Sequence, residues 1–340
     1  MPRPVDSLQL PLVRNTGRAI DRIYGRFVAA LPGALQEVAI RLPERLGLTT
    51  NDELPWSEAF EHPELLRVPE LVAVSDRLAI SRELCEAAAA AHLFGMIGAL
   101  GIDAITSRRV DQDAEVVAVI YEVHRARDRA YARLSGGPEA AVDYSMAEAL
   151  SREAVREEAL VFAGDQEASP ERIRMFLLKR HACVFPAALA AAHAGGWSAA
   201  DISRLELVIG GVLLGLKLRE KVGRWVEEHR QGASWAVAIL AHGHGAALAR
   251  SSLSELAGHL EVAGVLTELL QMSSRAFANA ARSARELGVD GLACWAREQS
   301  RRTSGLALFE SVEPGYTVQW ELDRRDRRRH EHLGELAAAS

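Results

Sequence analysis

The sequence predicts a protein built only of α-helices, arranged as a single large helical bundle. Eight of the twelve prolines lie before residue 70, so the rest of this 340-residue chain can form long helices. Alanine, leucine, glutamate and arginine, which favour helices, dominate from residue 70 onward. Alternating runs of β-branched residues, which would indicate strands, are scarce. These observations together predict the all-α class.

The first half of the chain is expected to contain two short helices followed by three longer ones. The short helices are predicted at residues 16–31 and 34–46, in the proline-rich part. The longer helices are predicted at 69–99, 111–134 and 143–163. Gly136-Gly137-Pro138 separates the last two, because glycine and proline end helices.

Capping residues mark the helix starts in the second half. Ser169-Pro170-Glu171 places a serine before a proline at the first helical position, which predicts a helix over 170–194. Ser198-Ala-Ala-Asp201 resembles a capping box with aspartate in place of glutamate and begins a helix predicted over 199–230. Further helices are expected at 233–249, 253–287 and 289–309.

No linker divides the chain into separate domains, and no fixed repeat indicates a solenoid. We therefore predict three regions. Residues 1–68 form an arm of short helices that packs on the bundle, residues 69–312 form the bundle, and residues 313–340 form a charged tail. The tail contains the mixed charge run DRRDRRRHEH, which is typical of a solvated segment.

Composition narrows the functional class. A net charge of -6 gives no electrostatic basis for binding nucleic acid. The three cysteines lie far apart, which argues against disulfides or zinc and fits a reducing cytoplasm. The most apolar windows, 87–100 and 205–218, are shorter than a membrane span, so we expect a cytoplasmic protein that is not an integral membrane protein. No Gly-rich phosphate loop or GxSxG elbow is present, which argues against NTPases and α/β-hydrolases.

One charged segment follows an apolar helix rich in small residues. Residues 92–113 read HLFGMIGALGIDAITSRRVDQD. The helix ends in an acid, Asp103, and two bases follow in the next loop, Arg108 and Arg109. Cations at a helix end also interact favourably with the helix dipole, so a purely structural role for the arginines stays open.

Two further segments combine charge with apolar surroundings. Residues 177–197, LLKRHACVFPAALAAAHAGGW, set Lys179 and Arg180 before a run of small, apolar and aromatic residues. Residues 218–232, LREKVGRWVEEHRQG, follow a long apolar run and crowd acids and bases into about four helical turns.

The order of these segments resembles the class I isoprenoid synthases, which include trans-prenyltransferases, squalene/phytoene synthases and terpene cyclases. The resemblance covers roughly residues 70–310 and implies the isoprenoid (terpenoid) synthase fold with a central apolar cavity. It implies that four residues line this cavity, namely Phe94, Gly98, Ala182 and Phe185.

The family binds Mg²⁺ through two aspartate-rich motifs, and this sequence departs from both. Asp103 matches the first aspartate of the first motif, but Ala104 and Ser107 stand where the other two would be. Trp225 and Gly232 match the tryptophan and the glycine that follow the second motif in the family. The three aspartate positions of that motif are then held by Glu220, Lys221 and Arg224, and Glu228 falls on a later acid.

The resemblance therefore implies two sets of site residues and assigns no catalytic residue. Candidate metal ligands are Asp103, Glu220 and Glu228. Candidate contacts for a substrate diphosphate are Arg108, Arg109, Lys179, Arg180, Lys221 and Arg224.

The missing acids matter because Mg²⁺ requires near-octahedral oxygen coordination, and it neutralises the pyrophosphate that leaves during ionisation. Three alternatives stay open. The remaining carboxylates hold Mg²⁺, or fixed cations bind the diphosphate in place of the metal. Alternatively, Glu220 and Arg224, spaced i and i+4, form an ordinary ion pair.

The leading functional hypothesis is a protein of isoprenoid biosynthesis that acts on or binds a prenyl diphosphate, with ionisation followed by condensation or cyclisation. The alternative is a non-catalytic helical protein on the same scaffold, either a binding module or the partner subunit of an active homologue. Whether the chain is an enzyme stays open. The expected partners are a prenyl diphosphate, a second copy of the chain or an active homologue.

Overall fold

The structure is a computed structural model, and it describes residues 12–46, 56, 81–106, 113–135, 139–244 and 251–310. Within these ranges every regular element is a helix, so the predicted all-α class is confirmed. The predicted boundaries at residues 68 and 312 lie outside the described residues, and the three-region division stays a prediction.

Fourteen α-helices and one short 3-10 helix follow one another in the described part of the chain. In order they are α1 (Leu12–Ala29), α2 (Gly33–Ile40), α3 (Leu42–Arg45), α4 (Arg82–Thr106), α5 (Ala114–Ser135), α6 (Glu139–Phe162), α7 (Pro170–Arg180), the 3-10 helix Ala182–Val184, α8 (Phe185–Ala194), α9 (Ala199–Gly223), α10 (Trp225–Arg230), α11 (Trp235–His244), α12 (Leu253–Val262), α13 (Val265–Glu286) and α14 (Asp290–Glu310).

Three helices that the sequence predicts as continuous are broken, and these predictions were wrong. The helix predicted over 170–194 stops at Arg180 and resumes at Phe185, because Pro186 has no N–H to continue the backbone ladder. The helix predicted over 253–287 breaks at Gly264, whose φ of 67° is left-handed. The helix predicted over 199–230 breaks at Arg224.

The predicted caps are confirmed. The Ser169 hydroxyl accepts a hydrogen bond from the Arg172 backbone N–H, with Pro170 at the start of α7. The Ser198 hydroxyl accepts from the Asp201 backbone N–H at 3.2 Å and donates to the Asp201 carboxylate at 2.9 Å. Both helices therefore begin where the sequence predicts.

The chain divides into two compact units, of which the first comprises residues 1–150, 182–206 and 287–289. Its core includes the rings of Phe27 and Phe94, whose centroids are 5.1 Å apart. Three glycines of α4 lie against side chains of α5 and α6: Gly95 against Tyr144, Gly98 against His124 and Gly101 against Ile120. The small residues of α4 thus allow close helix packing within this unit.

The second unit comprises residues 151–181, 207–286 and 290–340. Trp235 is completely buried at its centre and packs against Phe162 and Phe176. Gly211 and Gly215 of α9 face α13. A Cβ at Gly215 would lie 2.7 Å from the Phe277 ring, so only glycine allows this approach. These contacts hold α9, which carries the charged segment, against α13.

One described helical stretch, Arg82–Ile102 of α4, is long and apolar enough to cross a membrane. The helices Pro170–Arg180 and Ala182–Ala194 meet the same criterion only when they are taken together as one broken span. In α4, 56% of the most apolar window is buried inside the protein, as in the core helix of a soluble protein. The apolar stretch is longer than the window 87–100 that the sequence suggested.

Candidate functional site

The charged segment 218–232 forms a network of ion pairs at the end of α9 and in α10. The Glu220 carboxylate accepts from the Lys217 ammonium at 2.8 Å and from the Arg224 guanidinium at 3.1 Å. Arg224 also donates to both oxygens of Glu227, each at 3.1 Å. The structure therefore brings two predicted site residues, Glu220 and Arg224, into direct contact.

A second pair links the two helices across the break at Arg224. The Lys221 ammonium of α9 donates to the Glu228 carboxylate of α10 at 2.8 Å. We use "junction network" for the six residues Lys217, Glu220, Lys221, Arg224, Glu227 and Glu228. Its three cations and three anions give a formal charge of zero.

Glu228 lies in the least solvated part of the junction network. Its residue is 8% exposed, and its Oε2 atom is buried without a hydrogen-bond partner in the described part of the chain. Burial raises the pKa of Glu228, and the nearby Lys221 ammonium opposes that rise. Lys221 is therefore the main group that holds Glu228 in its charged form.

The environment of Arg224 favours the charged form of its guanidinium more strongly than water does. Its hydrogen bond to Glu227 raises the pKa of the Arg224 guanidinium, and Glu220 raises it further. Burial acts in the opposite direction and is outweighed. Because Glu220 and Glu227 both bind it, Arg224 stays fixed at the start of α10.

The junction network does not fit a magnesium ion. Mg²⁺ needs several oxygen ligands in octahedral geometry, whereas the Glu220 oxygens and one Glu228 oxygen already accept from Lys or Arg. In the ranges that the structure covers, no group of three or more His, Cys, Asp or Glu side chains is placed to hold a metal ion. The metal role predicted for Glu220 and Glu228 stays a prediction that this arrangement does not favour.

The first motif lies largely outside the described residues. Asp103 belongs to the last part of α4, and its side chain is not among those that the structure describes. Arg108 and Arg109 are also outside the described residues. Their predicted roles in metal and diphosphate binding stay predictions.

Lys179 and Arg180 lie at the end of α7, where the helix predicted over 170–194 breaks. The Lys179 ammonium donates to Glu157 of α6 at 2.7 Å, and this bond raises the pKa of Lys179. The Arg180 carbonyl accepts from the Ser151 hydroxyl at 2.7 Å, which ties the end of α7 to α6. Lys179 is therefore partly neutralised, like the cations of the junction network.

The four predicted cavity residues occupy different surroundings. Phe94 packs in the core of the first unit. Gly98 lies so close to His124 that a Cβ added to it would be 2.8 Å from the imidazole ring. Ala182 is half-buried against a cluster that includes Ala187, and Phe185 is half-buried at the start of α8. Helix packing accounts for Phe94 and Gly98, and a cavity role for all four stays a prediction.

Sequence reasoning missed a buried polar cluster in the first unit. The His124 Nδ1 atom is 2.6 Å from the Arg127 guanidinium, which lies 4.4 Å from the centre of the Tyr144 ring. Glu148 is 3.9 Å from the same guanidinium. The spacing of His124 and Arg127 indicates a shared helix face, but nothing in the sequence brings α6 to them.

Burial lowers the pKa of His124, and the charge of Arg127 lowers it further, so the imidazole is favoured in its neutral form. The guanidinium of Arg127 contacts the His124 ring and two carboxylates, Asp128 at 2.8 Å and Glu148 at 3.9 Å. The cluster therefore resembles a packed polar core rather than a metal site.

Comparison with known proteins identifies the fold. No family model matches the chain, and no curated protein matches it in sequence. The crystal structure of polyprenyl synthase ISP_B from Roseobacter denitrificans is similar, with a TM-score of 0.59 and 14% sequence identity. The match covers 83% of this chain and 99% of that chain. The chain thus has the all-α isoprenoid synthase fold.

Proposed function

We propose that this protein binds a prenyl diphosphate and does not ionise it by the metal-dependent route of the isoprenoid synthases. The likeness to a polyprenyl synthase along 99% of that chain supports the prenyl class of ligand. The observation that carries the rest is the junction network, in which three cations and three carboxylates neutralise one another.

The chemistry explains why the network favours binding over ionisation. Breaking an allylic carbon–oxygen bond releases pyrophosphate, and the charge that develops on it must be stabilised in the transition state. In the isoprenoid synthases Mg²⁺ supplies this stabilisation. By the resemblance, Lys221 and Arg224 stand at two of the acid positions, and in the structure both are engaged with carboxylates.

Under this proposal the basic side chains hold the diphosphate in the ground state. Lys and Arg bind phosphate oxygens through charge-assisted hydrogen bonds, and Arg does so through two parallel bonds. Lys221 and Arg224 keep 21% and 33% of their side chains exposed, so both retain accessible surface. Arg180, which lies in the same unit as Lys221 and Arg224, is a further proposed contact.

A second candidate function is ionisation of the same ligand at an atypical site. It is favoured by Asp103, which lies in the last turn of the apolar helix α4 and, by the resemblance, matches the first acid of the family motif. Under the first proposal the protein acts in the cytoplasm, as a homodimer or as the partner subunit of an active homologue.

Turnover separates the two candidates. The purified chain is incubated with geranyl, farnesyl and geranylgeranyl diphosphates, with Mg²⁺ and with EDTA, and pyrophosphate release is measured. We expect no release in either buffer. Mg²⁺-dependent release that is lost in Asp103→Asn would establish the second candidate and refute the first.

Binding is measured separately by calorimetry with geranyl, farnesyl and geranylgeranyl thiolodiphosphates, analogues that resist ionisation. We expect saturable binding that weakens at least several-fold in Arg180→Gln. The matched control is Arg174→Gln, which removes an exposed arginine of the same helix that pairs with Glu171. If the wild-type chain binds none of the three prenyl chain lengths, the proposed function is wrong.

A further inference from the structure

The carboxylates at the α9–α10 junction are paired with basic side chains, which is not the arrangement of a metal site. Each carboxylate that matches an acid of the family motif is bonded to a cation from the same segment. Glu220 is bonded to Arg224, and Glu228 is bonded to Lys221. By the resemblance, both cations occupy positions at which the family has aspartates. The acids alone are typical of a weakened metal site, whereas the contacts show that the cations paired with these acids are side chains of the protein itself.

We infer that Lys221 and Arg224 are permanent replacements for the divalent cation at this position. An ammonium or guanidinium group, like Mg²⁺, can bind a carboxylate on one side and a phosphate oxygen on the other. Lys221 uses one of its three N–H groups for Glu228. The part of this inference that concerns phosphate binding rests on the proposed function. The part that concerns carboxylate binding rests only on the observed ion pairs.

The position of the two cations supports this role. Arg224 is the residue between α9 and α10, and it binds Glu220 on one side and Glu227 on the other. Lys221 precedes the break and binds Glu228 beyond it. The cations therefore join the two helices across the break, as a metal ion joins ligands from different segments.

Burial explains why a metal ion would not displace them. The side chains of Lys221 and Glu228 are 21% and 11% exposed, and that of the neighbouring Lys217 is 9% exposed. Adding Mg²⁺ beside these cations would bring like charges together, and the repulsion is strongest at the less exposed Lys221–Glu228 pair. Removing the two cations, in contrast, would leave Glu220, Glu227 and Glu228 without these counter-ions.

The first experiment uses Mg²⁺ and Mn²⁺ alone, with the thermal midpoint as the readout. For the wild-type chain we expect no saturable shift of the midpoint with either ion. The variant Lys221→Asp/Arg224→Asp is expected to have a lower midpoint in EDTA and to regain much of it as Mg²⁺ is added. A control comes from α14, where two arginines, Arg301 and Arg302, likewise form ion pairs with one carboxylate, Glu298. Arg301→Asp/Arg302→Asp should show no saturable response.

Two results would overturn the inference. One is a saturable rise of the wild-type midpoint with Mg²⁺ that disappears in Glu220→Gln/Glu228→Gln. The other is a folded Lys221→Asp/Arg224→Asp variant that responds to Mg²⁺ no more than the control. If that double variant does not fold, the single variant Arg224→Asp is expected to show the same recovery of the midpoint with Mg²⁺. The wild-type measurement tests the inference without any variant.

The second experiment measures farnesyl thiolodiphosphate binding by the wild-type chain in EDTA and in Mg²⁺. We expect dissociation constants that agree within about twofold, a difference of roughly 0.4 kcal/mol. Binding only in Mg²⁺ would overturn the inference and leave the proposed function intact. Absence of binding in both buffers would refute the proposed function, while the midpoint measurements would still test whether the cations fill the metal position.

Discussion

Replacing Gly215 by alanine tests the close packing of α9 on α13, which positions the junction network within the second unit. The added Cβ would lie 2.7 Å from two ring atoms of Phe277. Carbon atoms in contact sit about 3.5–4.0 Å apart, so the ring must retreat by roughly 0.8 Å or more. Phe277 is completely buried and has Trp295 against it, with ring centroids 6.0 Å apart. Little space is therefore available for the ring to move.

The expected magnitude combines two opposing effects. Overpacking of a well-filled core costs about 1–3 kcal/mol. Alanine in place of a helical glycine returns about 0.5–1 kcal/mol, because it restricts the unfolded chain. Because the Phe277 ring is completely buried, the overpacking cost falls in the upper half of its range, and we expect Gly215→Ala to lower the free energy of unfolding by about 1–2.5 kcal/mol. Gly258 lies inside α12 with no atom within 4 Å of an added Cβ, so Gly258→Ala should raise it by about 0.5–1 kcal/mol.

The assay is urea unfolding followed by the helical circular dichroism signal, with the slope m compared among the three proteins. The two substitutions are chemically identical and both lie in helices, so their opposite signs report packing alone. A Gly215→Ala protein with an unchanged or higher midpoint, measured beside a stabilised Gly258→Ala protein, would refute the close approach of α9 and α13.

Three further predictions concern buried polar groups. Lys221→Met should destabilise the chain by about 3–5 kcal/mol in urea unfolding, because it leaves the Glu228 carboxylate buried without its cation. Adding Glu228→Leu should recover most of this loss, and a purely additive double variant would contradict the pairing. Trp235→Phe should cost about 1–3 kcal/mol, since it removes the indole N–H that donates to Glu158 at 2.8 Å; an unchanged midpoint would argue against this bond. The lowered pKa of His124 means that stability is lost as the pH falls from the ordinary histidine value through the lower folded value, so the stability of His124→Gln should depend less on pH in that window. Equal pH slopes for the two proteins would show that His124 is not the group responsible.

Local signals predicted the fold class and several helix ends, because they act within a few residues. The serine and proline that begin α7 are adjacent in the sequence, and their effect on the backbone is local. The break at Gly264 was missed, since glycine inside a helical pattern is compatible with either continuation or a left-handed turn. Sequence alone did not decide between these conformations.

The sequence indicated where the candidate site lies, but it indicated only some of the ion pairs that form there. The i and i+4 spacing of Glu220 and Arg224 already allowed the ion pair that the structure contains. The pair between Lys221 and Glu228 was not anticipated, because it depends on the direction that α10 takes after the break. The burial of Glu228 has the same origin, and it cannot be read from a charged stretch of sequence.

The zero net charge of the junction network has a consequence for the speed of ligand capture. A cluster of uncompensated cations would attract an anion over about one Debye length, roughly 8 Å at physiological ionic strength, and would accelerate encounter. Here equal numbers of acids and bases alternate over a few ångströms, so their fields cancel beyond close contact. A diphosphate approaching this junction would meet it by ordinary diffusion, and its association rate there should change little with added salt.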